Sequence, residues 1–239
     1  MIRNNRIIRK VLNENIRNRL ISNVYFQKKI SSYSQTGEDL IILQLLRSKN
    51  IAFKNYQYLD IGSGHPVVGS NSYLFYRLGM NGNLIDCNTK FKNITKIIRR
   101  RDVFHCMAVG KSNQDAEFYE FYEHNYSTFD KEKAHSLMDG GLKIKKVVKT
   151  KIRPIQEVVP HRNLDRILFV SVDVEGFEKQ VIETFPFEIC QPLIFCIEQL
   201  ENPFHKKSDI RAFMEPKGYE LISYTGLSSI YKKRDNLQG

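Results

Sequence analysis

The run Tyr58-Leu-Asp-Ile-Gly-Ser-Gly-His-Pro66 constrains the fold of this chain more than any other stretch. It predicts an apolar strand that ends in the carboxylate of Asp60. A sharp turn at Gly62 and Gly64 follows the strand. A second predicted strand follows and ends in Asp86. A strand, a glycine turn, a helix and a second strand ending in an acid form the unit with which parallel sheets bind adenosine-bearing cofactors. The glycine pair alone leaves the identity of the cofactor open.

Strand and helix patterns alternate along most of the chain. The apolar run Ile167–Val172 has the length and continuity of a central parallel strand. The last two predicted strands are joined by a short turn, so the final strand must run antiparallel to its neighbour. The predicted strands are 56–61, 83–86, 103–108, 167–172, 193–197, Tyr219–Tyr224 and Ser229–Lys233. The sequence therefore predicts an α/β fold with a doubly wound, mostly parallel seven-stranded sheet, Rossmann-like, and an antiparallel C-terminal hairpin.

Two further local patterns concern the helices. Thr36 with Asp39 has the spacing of a capping box and predicts a helix over 36–48. Arg99 to Arg101 come at the end of another predicted helix, where cations are favoured by the helix dipole.

Residues 115–152 interrupt the alternation and predict an insert. Within it, the lysine-rich run Lys143–Arg153 has the pattern of an edge strand that is protected from pairing by its charges. Loops between rigid strands commonly carry specificity, so the insert is predicted to be a lid that faces the acceptor. Its candidate residues are His124, Tyr126, Ser127, Thr128 and His135.

Composition and charge limit the class of protein. Of the formal net charge of +11, +7 falls within residues 1–30, which hold eight Lys and Arg and one Glu. We predict a basic N-terminal extension over 1–30 and one catalytic domain over 31–239. The four cysteines have no paired spacing, no apolar run approaches the ~20 residues of a membrane span, and no signal-peptide pattern is present. These features favour a cytoplasmic protein with reduced thiols and no membrane span, and they leave its oligomeric state open.

The C-terminal hairpin and the lack of a third glycine after Gly64 argue against a dinucleotide dehydrogenase, because its diphosphate needs that glycine. Four motifs then agree in order and spacing with one family: Ser34-Gln-x-Gly-Glu-Asp39, Leu59-Asp-Ile-Gly62 with His65-Pro66, Ser70-Asn-Ser-Tyr73, and Asp173-x-Glu-Gly-Phe-Glu178. Together they resemble the FkbM family of S-adenosylmethionine-dependent methyltransferases. The resemblance implies the class I methyltransferase fold and methylation of hydroxyl oxygens on sugars and natural products. The chain departs from the family at Gly79-Met-Asn-Gly82, which lacks the usual Trp, and at Asp86-Cys-Asn88, where Glu-Pro-Asn is common.

Candidate cofactor-binding residues follow from the strand ends and from the resemblance. The glycines allow close approach of a ligand to the backbone, and the Asp86 carboxylate can accept both ribose hydroxyls. Met107 and Ala108 end the third predicted strand and can flank an adenine. The resemblance adds Gln35 and Glu38, which can reach the amino-acid group of the cofactor. The predicted cofactor residues are Gln35, Glu38, Asp60, Gly62, Ser63, Gly64, Ser70, Asp86, Met107 and Ala108.

Three acids at the carboxyl edge of the sheet are the candidates for chemistry. Asp173, Glu175 and Glu198 would repel one another unless a cation lies among them, which could be the sulfonium, a lysine or a metal. One prediction is that Asp173 or Glu175, or His65 beside the glycine turn, acts as a catalytic base. The other is a Mg²⁺ site formed by Asp173, Glu198 and Gln199, since this metal prefers oxygen ligands.

The sequence thus predicts an O-methyltransferase whose acceptor is a small molecule, most simply a sugar nucleotide, glycan or related natural product. A positive surface would suit a phosphorylated acceptor. An RNA methyltransferase is the first alternative because of the basic extension, but the chain has no recognisable RNA module. A non-catalytic binding module that retains the fold is the second alternative, and a nicotinamide oxidoreductase is the third.

Overall fold

The computed structural model describes residues 30–49, 51–111, 113–123, 126–159, 161–205 and 208–235, without the side chains of 161 and 162. Residues 1–29 of the predicted basic extension and the lid candidate His124 lie outside the described residues. None of the helices in these ranges combines the length and the apolar character that a membrane span requires.

The described strands, in chain order, are β1 (Gln57–Ile61), β2 (Asn81–Ile85), β3 (Val103–His105), β4 (Ala108–Val109), β5 (Gln114–Phe121), β6 (Ile144–Arg153), β7 (Ile167–Val172), β8 (Ile194–Glu198), β9 (Tyr219–Tyr224) and β10 (Ser228–Lys233). The described α-helices are α1 (Glu38–Arg47), α2 (Tyr73–Arg77), α3 (Lys90–Ile98), α4 (Lys131–Asp139), α5 (Ile155–Val158), α6 (His161–Leu164), α7 (Glu178–Glu183) and α8 (Asp209–Met214).

Seven of the strands form one sheet in the order β3-β2-β1-β7-β8-β10-β9. Neighbours from β3 to β8 pair in parallel, whereas β10 pairs antiparallel with both β8 and β9. All residues of β1 and β7 are buried, as central parallel strands require. The predicted doubly wound sheet with an antiparallel C-terminal hairpin is confirmed.

Both faces of this sheet are covered, so successive side chains of one strand enter different cores. In β1, Leu59 and Ile61 pack into one hydrophobic core, while Tyr58 packs into the other. Because the two cores fix the sheet from both faces, the loops at the carboxyl ends of its strands have rigid supports.

The predicted cap of the first helix is wrong. Helix α1 begins after Gly37, which has a φ of 94° and provides no side-chain cap. The Thr36 amide instead donates to the Glu38 carboxylate over 2.9 Å. Asp39 accepts hydrogen bonds from the Tyr33 amide at 2.7 Å and from the Ser32 hydroxyl at 2.7 Å, so its partners precede the helix.

The insert forms a second sheet of three strands in the order β4-β6-β5. The third predicted strand is therefore divided, because β3 belongs to the large sheet and β4 to the small one. The lysine-rich strand β6 is the central strand rather than the predicted edge.

Acids on β5 allow the lysines of β6 to pair. Glu117 lies opposite Lys149 in the antiparallel register. The buried Glu120 side chain is 2.6 Å from Lys145 Nζ and 3.1 Å from Lys146 Nζ. Opposite charges across an antiparallel pair stabilise it, so Lys145, Lys146 and Lys149 each lie beside an acid of β5.

Candidate active site

A cleft of about 810 Å³ opens at the carboxyl ends of β1, β2, β7 and β8. In doubly wound sheets this edge is where ligands bind, and the volume lies within the usual range of small-molecule sites, roughly 300–1,000 Å³. The insert forms the opposite wall. The predicted site residues that line the cleft are Gln35, Gly62, Ser63, Gly64, His65, Asp86, Met107, Ala108, Asp173, Glu175 and Glu198.

The glycine turn and Asp86 form one hydrogen-bonded unit in this cleft. The Gly62 amide donates to the Ile85 carbonyl over 2.8 Å, and the Gly64 amide donates to Asp86 Oδ2 over 2.7 Å. Asp86 Oδ1 accepts from the Asn88 amide at 2.7 Å. Burial raises the pKa of Asp86 to about 6 despite these bonds. Each carboxylate oxygen keeps a second lone pair, so Asp86 can still accept a ligand hydroxyl.

The Ser63 hydroxyl provides a test of whether the turn fits a polar ligand. Ser63 lines the cleft with 7% of its surface exposed, and its Oγ has no hydrogen-bond partner within the described residues. A buried hydroxyl without a partner costs free energy, so a ligand that bonds to it would be stabilised. The glycine turn therefore fits the polar part of an adenosine-bearing cofactor.

Four predicted site residues do not line the cleft. Asp60 is buried beneath it and accepts a hydrogen bond from the Ser72 hydroxyl, while burial raises the pKa of its carboxyl. Ser70 accepts from the Tyr73 amide at 3.2 Å. The remaining two are held by the C-terminal hairpin, since Glu38 accepts from Thr225 Oγ1 at 2.8 Å and Gln199 from Ser229 Oγ at 2.9 Å.

Arg99 is hydrogen-bonded to Ser70 directly and to Asp60 through the Ser72 hydroxyl, and sequence analysis did not find this role. Instead of a solvated cation at a helix end, Arg99 is 0% exposed. Its guanidinium donates to Asp102 at 2.6 Å, to Tyr58 Oη at 2.8 Å, to Ser72 Oγ at 2.8 Å and to Ser70 Oγ at 3.2 Å. It also donates to the Pro66 carbonyl at 3.2 Å. Arg99 thus ties the loop after the glycine turn to the sheet.

His65 supports this loop rather than offering a base. Its Nδ1 accepts hydrogen bonds from the amides of Val67 at 3.2 Å and Val68 at 3.0 Å. A neutral imidazole that accepts at Nδ1 carries its proton at Nε2. Because its Nδ1 lone pair is engaged by the backbone, this geometry argues against the predicted catalytic role of His65.

Asp173, Glu175 and Glu198 come together on the other side of the cleft. One carboxylate oxygen of each lies within 4.8 Å of the others. Burial, followed by the charges of Glu198 and Glu175, raises the pKa of Asp173 well above its ordinary value. Burial and then Glu198 raise the pKa of Glu175 to about 7. The pKa values of all three carboxyls are thus raised, with burial as the largest cause in each case.

Among the described residues, Lys133 is the cation that reaches this cluster. It lies on α4 of the insert, and its Nζ donates to the Glu175 backbone carbonyl over 3.1 Å and lies 3.9 Å from Glu175 Oε2. Sequence analysis missed this residue because nothing in the local pattern of α4 distinguishes it from the neighbouring lysines.

The backbone at Glu175 is unusual. Glu175 has a φ of 56°, and it is the one residue other than glycine in the described ranges with a positive φ. Glu178, the first residue of the following helix α7, holds this turn in place. Its Oε1 accepts hydrogen bonds from the amides of Val174 and Gly176, both at 3.0 Å. A left-handed backbone of this kind costs about 1–3 kcal/mol and is concentrated at functional sites.

Aromatic residues form the wall that the insert contributes. The rings of Phe118 and Phe129 are 4.9 Å apart, and those of Phe129 and Phe177 are 6.1 Å apart. All three line the cleft together with Tyr126 and Ser127. The other described lid candidates are elsewhere, since Thr128 is buried within the insert and His135 is exposed on α4.

The strand order, the glycine turn and the cleft at the carboxyl edge define an α/β protein of the class I methyltransferase type. The model of the methyltransferase FkbM domain matches residues 60–221. The chain therefore belongs to the FkbM methyltransferase family and is an S-adenosylmethionine-dependent methyltransferase.

No curated protein matches the sequence. Among solved structures, the precorrin-6y C5,15-methyltransferase of Geobacter metallireducens GS-15 is 12% identical, with a TM-score of 0.45 over 87% of this chain and 92% of that one. The magnesium protoporphyrin IX methyltransferase of Synechocystis PCC 6803, with bound SAM, is 11% identical, with a TM-score of 0.44 over 98% and 99%. The O-methyltransferase of Bacillus cereus, in complex with SAH, is 12% identical, with a TM-score of 0.37 over 89% and 94%.

Proposed function

We propose that this methyltransferase acts on a hydroxyl oxygen of a sugar nucleotide, glycan or related natural product, with Glu175 as the general base. The observation that carries the proposal is the cluster of Asp173, Glu175 and Glu198 across the cleft from the glycine turn. Methylation of a hydroxyl requires removal of its proton, and the ideal base has a pKa near the working pH. Glu175 meets this requirement with a pKa of about 7.

The cofactor is proposed to lie along the glycine turn. Asp86 would accept its ribose hydroxyls, Met107 and Ala108 would flank the adenine, and Ser63 would bond through its free hydroxyl. Gln35 would contact the amino-acid end. When bound, S-adenosylmethionine supplies a methyl group on a positively charged sulfur, and the acids opposite favour that charge.

Asp173 and Glu175 then have different roles. Burial and the neighbouring acids raise the pKa of Asp173, so this carboxyl can donate a hydrogen bond when it is protonated. Glu175, with a pKa of about 7, can accept the hydroxyl proton once it is ionised. Lys133 holds the Glu175 backbone and lowers the pKa of its carboxyl by its charge, which limits the rise caused by burial. The aromatic wall of Phe118, Phe129 and Phe177 supplies the apolar surface against which a sugar or polyketide ring can pack.

A Mg²⁺ ion is the alternative partner of the acids. Three clustered carboxylates are a suitable donor set for it, with Glu175 taking the place that sequence analysis gave to Gln199. Such an ion would lower the pKa of the acceptor hydroxyl. The raised pKa values of the cluster fit either partner, because a metal ion or a shared proton relieves the same repulsion.

Two measurements test the proposal. Calorimetric titration with S-adenosylhomocysteine should show one site per chain, and absence of binding would overturn the cofactor assignment. Labelled S-adenosylmethionine should then label members of a panel of sugars, glycosides and nucleotide sugars through an alkali-stable ether bond. Labelling that persists in EDTA supports Glu175 as the base, and its loss on chelation would support the metal.

A further inference from the structure

The C-terminal hairpin contacts the segment that precedes helix α1 through its turn. Thr225, between β9 and β10, donates from Oγ1 to Glu38 Oε1 over 2.8 Å, although the two residues are 187 positions apart. Glu38 is 1% exposed and does not line the cleft, whereas Gln35, three residues earlier, does. The buried contact of Glu38 with Thr225 therefore lies directly behind a residue of the cleft wall.

The Glu38 carboxylate also holds the residue next to Gln35. Its Oε2 accepts from the Thr36 amide at 2.9 Å, and its Oε1 accepts from the Thr36 hydroxyl. Burial opposes ionisation of Glu38, but the hydrogen bonds from Thr36, from its own amide and from Thr225 lower the pKa of its carboxyl below the ordinary value. Hydrogen bonds to an ionised acceptor are about twice as strong as neutral ones, so the carboxylate fixes Thr36 firmly.

The hairpin turn is itself held in place, which allows it to act as a support. The Thr225 amide donates to the Ser228 carbonyl over 2.9 Å, and the Ser228 amide donates back to Thr225 Oγ1 over 3.2 Å. The amide of Gln199, just after β8, donates to the Leu227 carbonyl over 2.8 Å. The turn is thus fixed to the end of a central strand, and Leu227 itself lines the cleft.

Gln35 lies between this support and the loop after the glycine turn. Its Cγ and Nε2 are 3.5 Å and 3.8 Å from the position that a Cβ on Gly69 would occupy. Gly69 belongs to the loop that Arg99 ties to the sheet. The backbone of Gln35 is joined on its other side to Thr36, which Glu38 and Thr225 hold. Both neighbours of this side chain are therefore fixed before a ligand binds.

We propose, on the basis of the function proposed above, that Thr225 and Glu38 are positioning residues that hold Gln35 against the amino-acid end of the bound cofactor. Glu38 does not touch the cofactor in this role, in contrast to the expectation from its sequence motif. A side chain that is ordered before binding loses less conformational entropy, so the support increases affinity. The gain is confined to ligands that carry the amino-acid group, because the adenosine part lies along the glycine turn.

The test measures calorimetrically how the full chain binds S-adenosylhomocysteine and 5′-methylthioadenosine, which has the same adenosine and a thioether but no amino-acid group. Thr225→Val keeps the shape of the side chain and removes its hydroxyl. It should weaken S-adenosylhomocysteine by about fivefold or more and methylthioadenosine by less than about twofold. Thr225→Ser restores the hydroxyl and should restore the affinity. Equal weakening of both ligands, or no weakening of S-adenosylhomocysteine, would overturn the inference.

Thr36→Val provides a second variant, on an exposed side chain that contacts both Glu38 and Thr225. It should show the same selective loss, and an unchanged ratio of the two affinities would contradict the proposal. Thr184→Val is the matched control, because its hydroxyl bonds to the Val181 carbonyl at 2.9 Å and it does not line the cleft. The control should leave both affinities unchanged.

A double-mutant comparison tests whether Thr225 acts through Gln35. Gln35→Ala removes the proposed contact from an exposed position and should itself weaken S-adenosylhomocysteine selectively. Adding Thr225→Val to Gln35→Ala should cause no further loss, because the supported side chain is already absent. Losses that add in full would show that Thr225 acts by another route. Failure of S-adenosylhomocysteine to bind the unchanged protein would instead overturn the proposed function.

Discussion

The backbone carbonyl oxygen of Asp173 lies 1.6 Å from the position that a Cβ on Gly62 would occupy. The carboxyl ends of β1 and β7 therefore approach closely enough that a side chain at residue 62 cannot fit. This contact joins the glycine turn to the acid cluster, so the two halves of the site depend on one residue without a side chain.

Replacing Gly62 with Ala should destabilise the fold by about 3 kcal/mol or more, because backbone atoms must move apart. Gly218→Ala is the control, since its φ of +87° is close to the +78° of Gly62 but nothing lies within 4 Å of its Cβ position. We expect a cost of about 1–2 kcal/mol there from backbone strain alone. Urea unfolding of both variants measures the difference in the free energy of unfolding. Equal losses in the two variants would show that the close contact with the Asp173 carbonyl does not determine the cost.

Glu175→Gln should lower kcat by about 10²–10⁴-fold, because the amide cannot accept the hydroxyl proton. S-adenosylhomocysteine should bind this variant as it does the unchanged protein. In the unchanged protein, kcat should rise with pH through about 7 as Glu175 ionises, and this limb should disappear in the variant. If kcat of the Glu175→Gln variant still rises with pH near 7, another group is responsible for the rise.

Asp86→Asn should weaken S-adenosylhomocysteine binding by about 10-fold or more, because charge-assisted hydrogen bonds to ligand hydroxyls contribute more than neutral ones. The side chain of Asn has one acceptor oxygen, whereas the two carboxylate oxygens of Asp86 accept from the backbone amides of Gly64 and Asn88. The variant would therefore also lose one of these two hydrogen bonds. Asp115→Asn, on an exposed residue of β5, is the control and should leave the affinity unchanged. Calorimetry measures both, and unaltered affinity of Asp86→Asn would remove this residue from the cofactor site.

The ligand-free protein should lose stability as the pH rises from about 4.5 to 7. Burial raises the pKa of Asp86 to about 6 and of Glu175 to about 7, so the folded state binds more protons than the unfolded state in this window. The stability from these groups is present below their ordinary pKa values and is lost as each ionises in the folded protein. We expect a fall of roughly 4 kcal/mol between pH 5 and 7.5, about 1.4 kcal/mol from Asp86 and about 2.4 kcal/mol from Glu175, since each unit of pKa shift corresponds to about 1.4 kcal/mol. Glu175→Gln should reduce it, and a rise in stability over this range would contradict the assignment.

Arg99→Met should destabilise the protein by about 3–5 kcal/mol, because it leaves the buried Asp102 carboxylate without its cation. Arg100→Met changes the exposed neighbour on the same helix end and should cost less than about 0.5 kcal/mol. Thermal unfolding distinguishes them. Similar small losses would show that Arg99 is not the support of the loop.

Sequence analysis predicted the large sheet because the signals for it are local. The buried run of β7, the acid after it and the turn before β10 each follow from a few adjacent residues. Apart from the local helix cap at Thr36, its errors in strand assignment occur where partners are distant in the chain. The strand of residues 103–108 was predicted as one piece because its division depends on β4 pairing with Ile152 and Arg153.

The amino-acid sequence by itself determined the class of fold and the acids at its carboxyl edge, since hydrophobic periodicity and strand ends are properties of short segments. Only the tertiary structure decided which groups share the site. It brought Lys133 to Glu175 across 42 residues and Arg99 to Tyr58 across 41. No local pattern encodes such contacts, because they depend on how the insert and the helices pack on the sheet, and that packing also sets the desolvation that raises the pKa values of the acids.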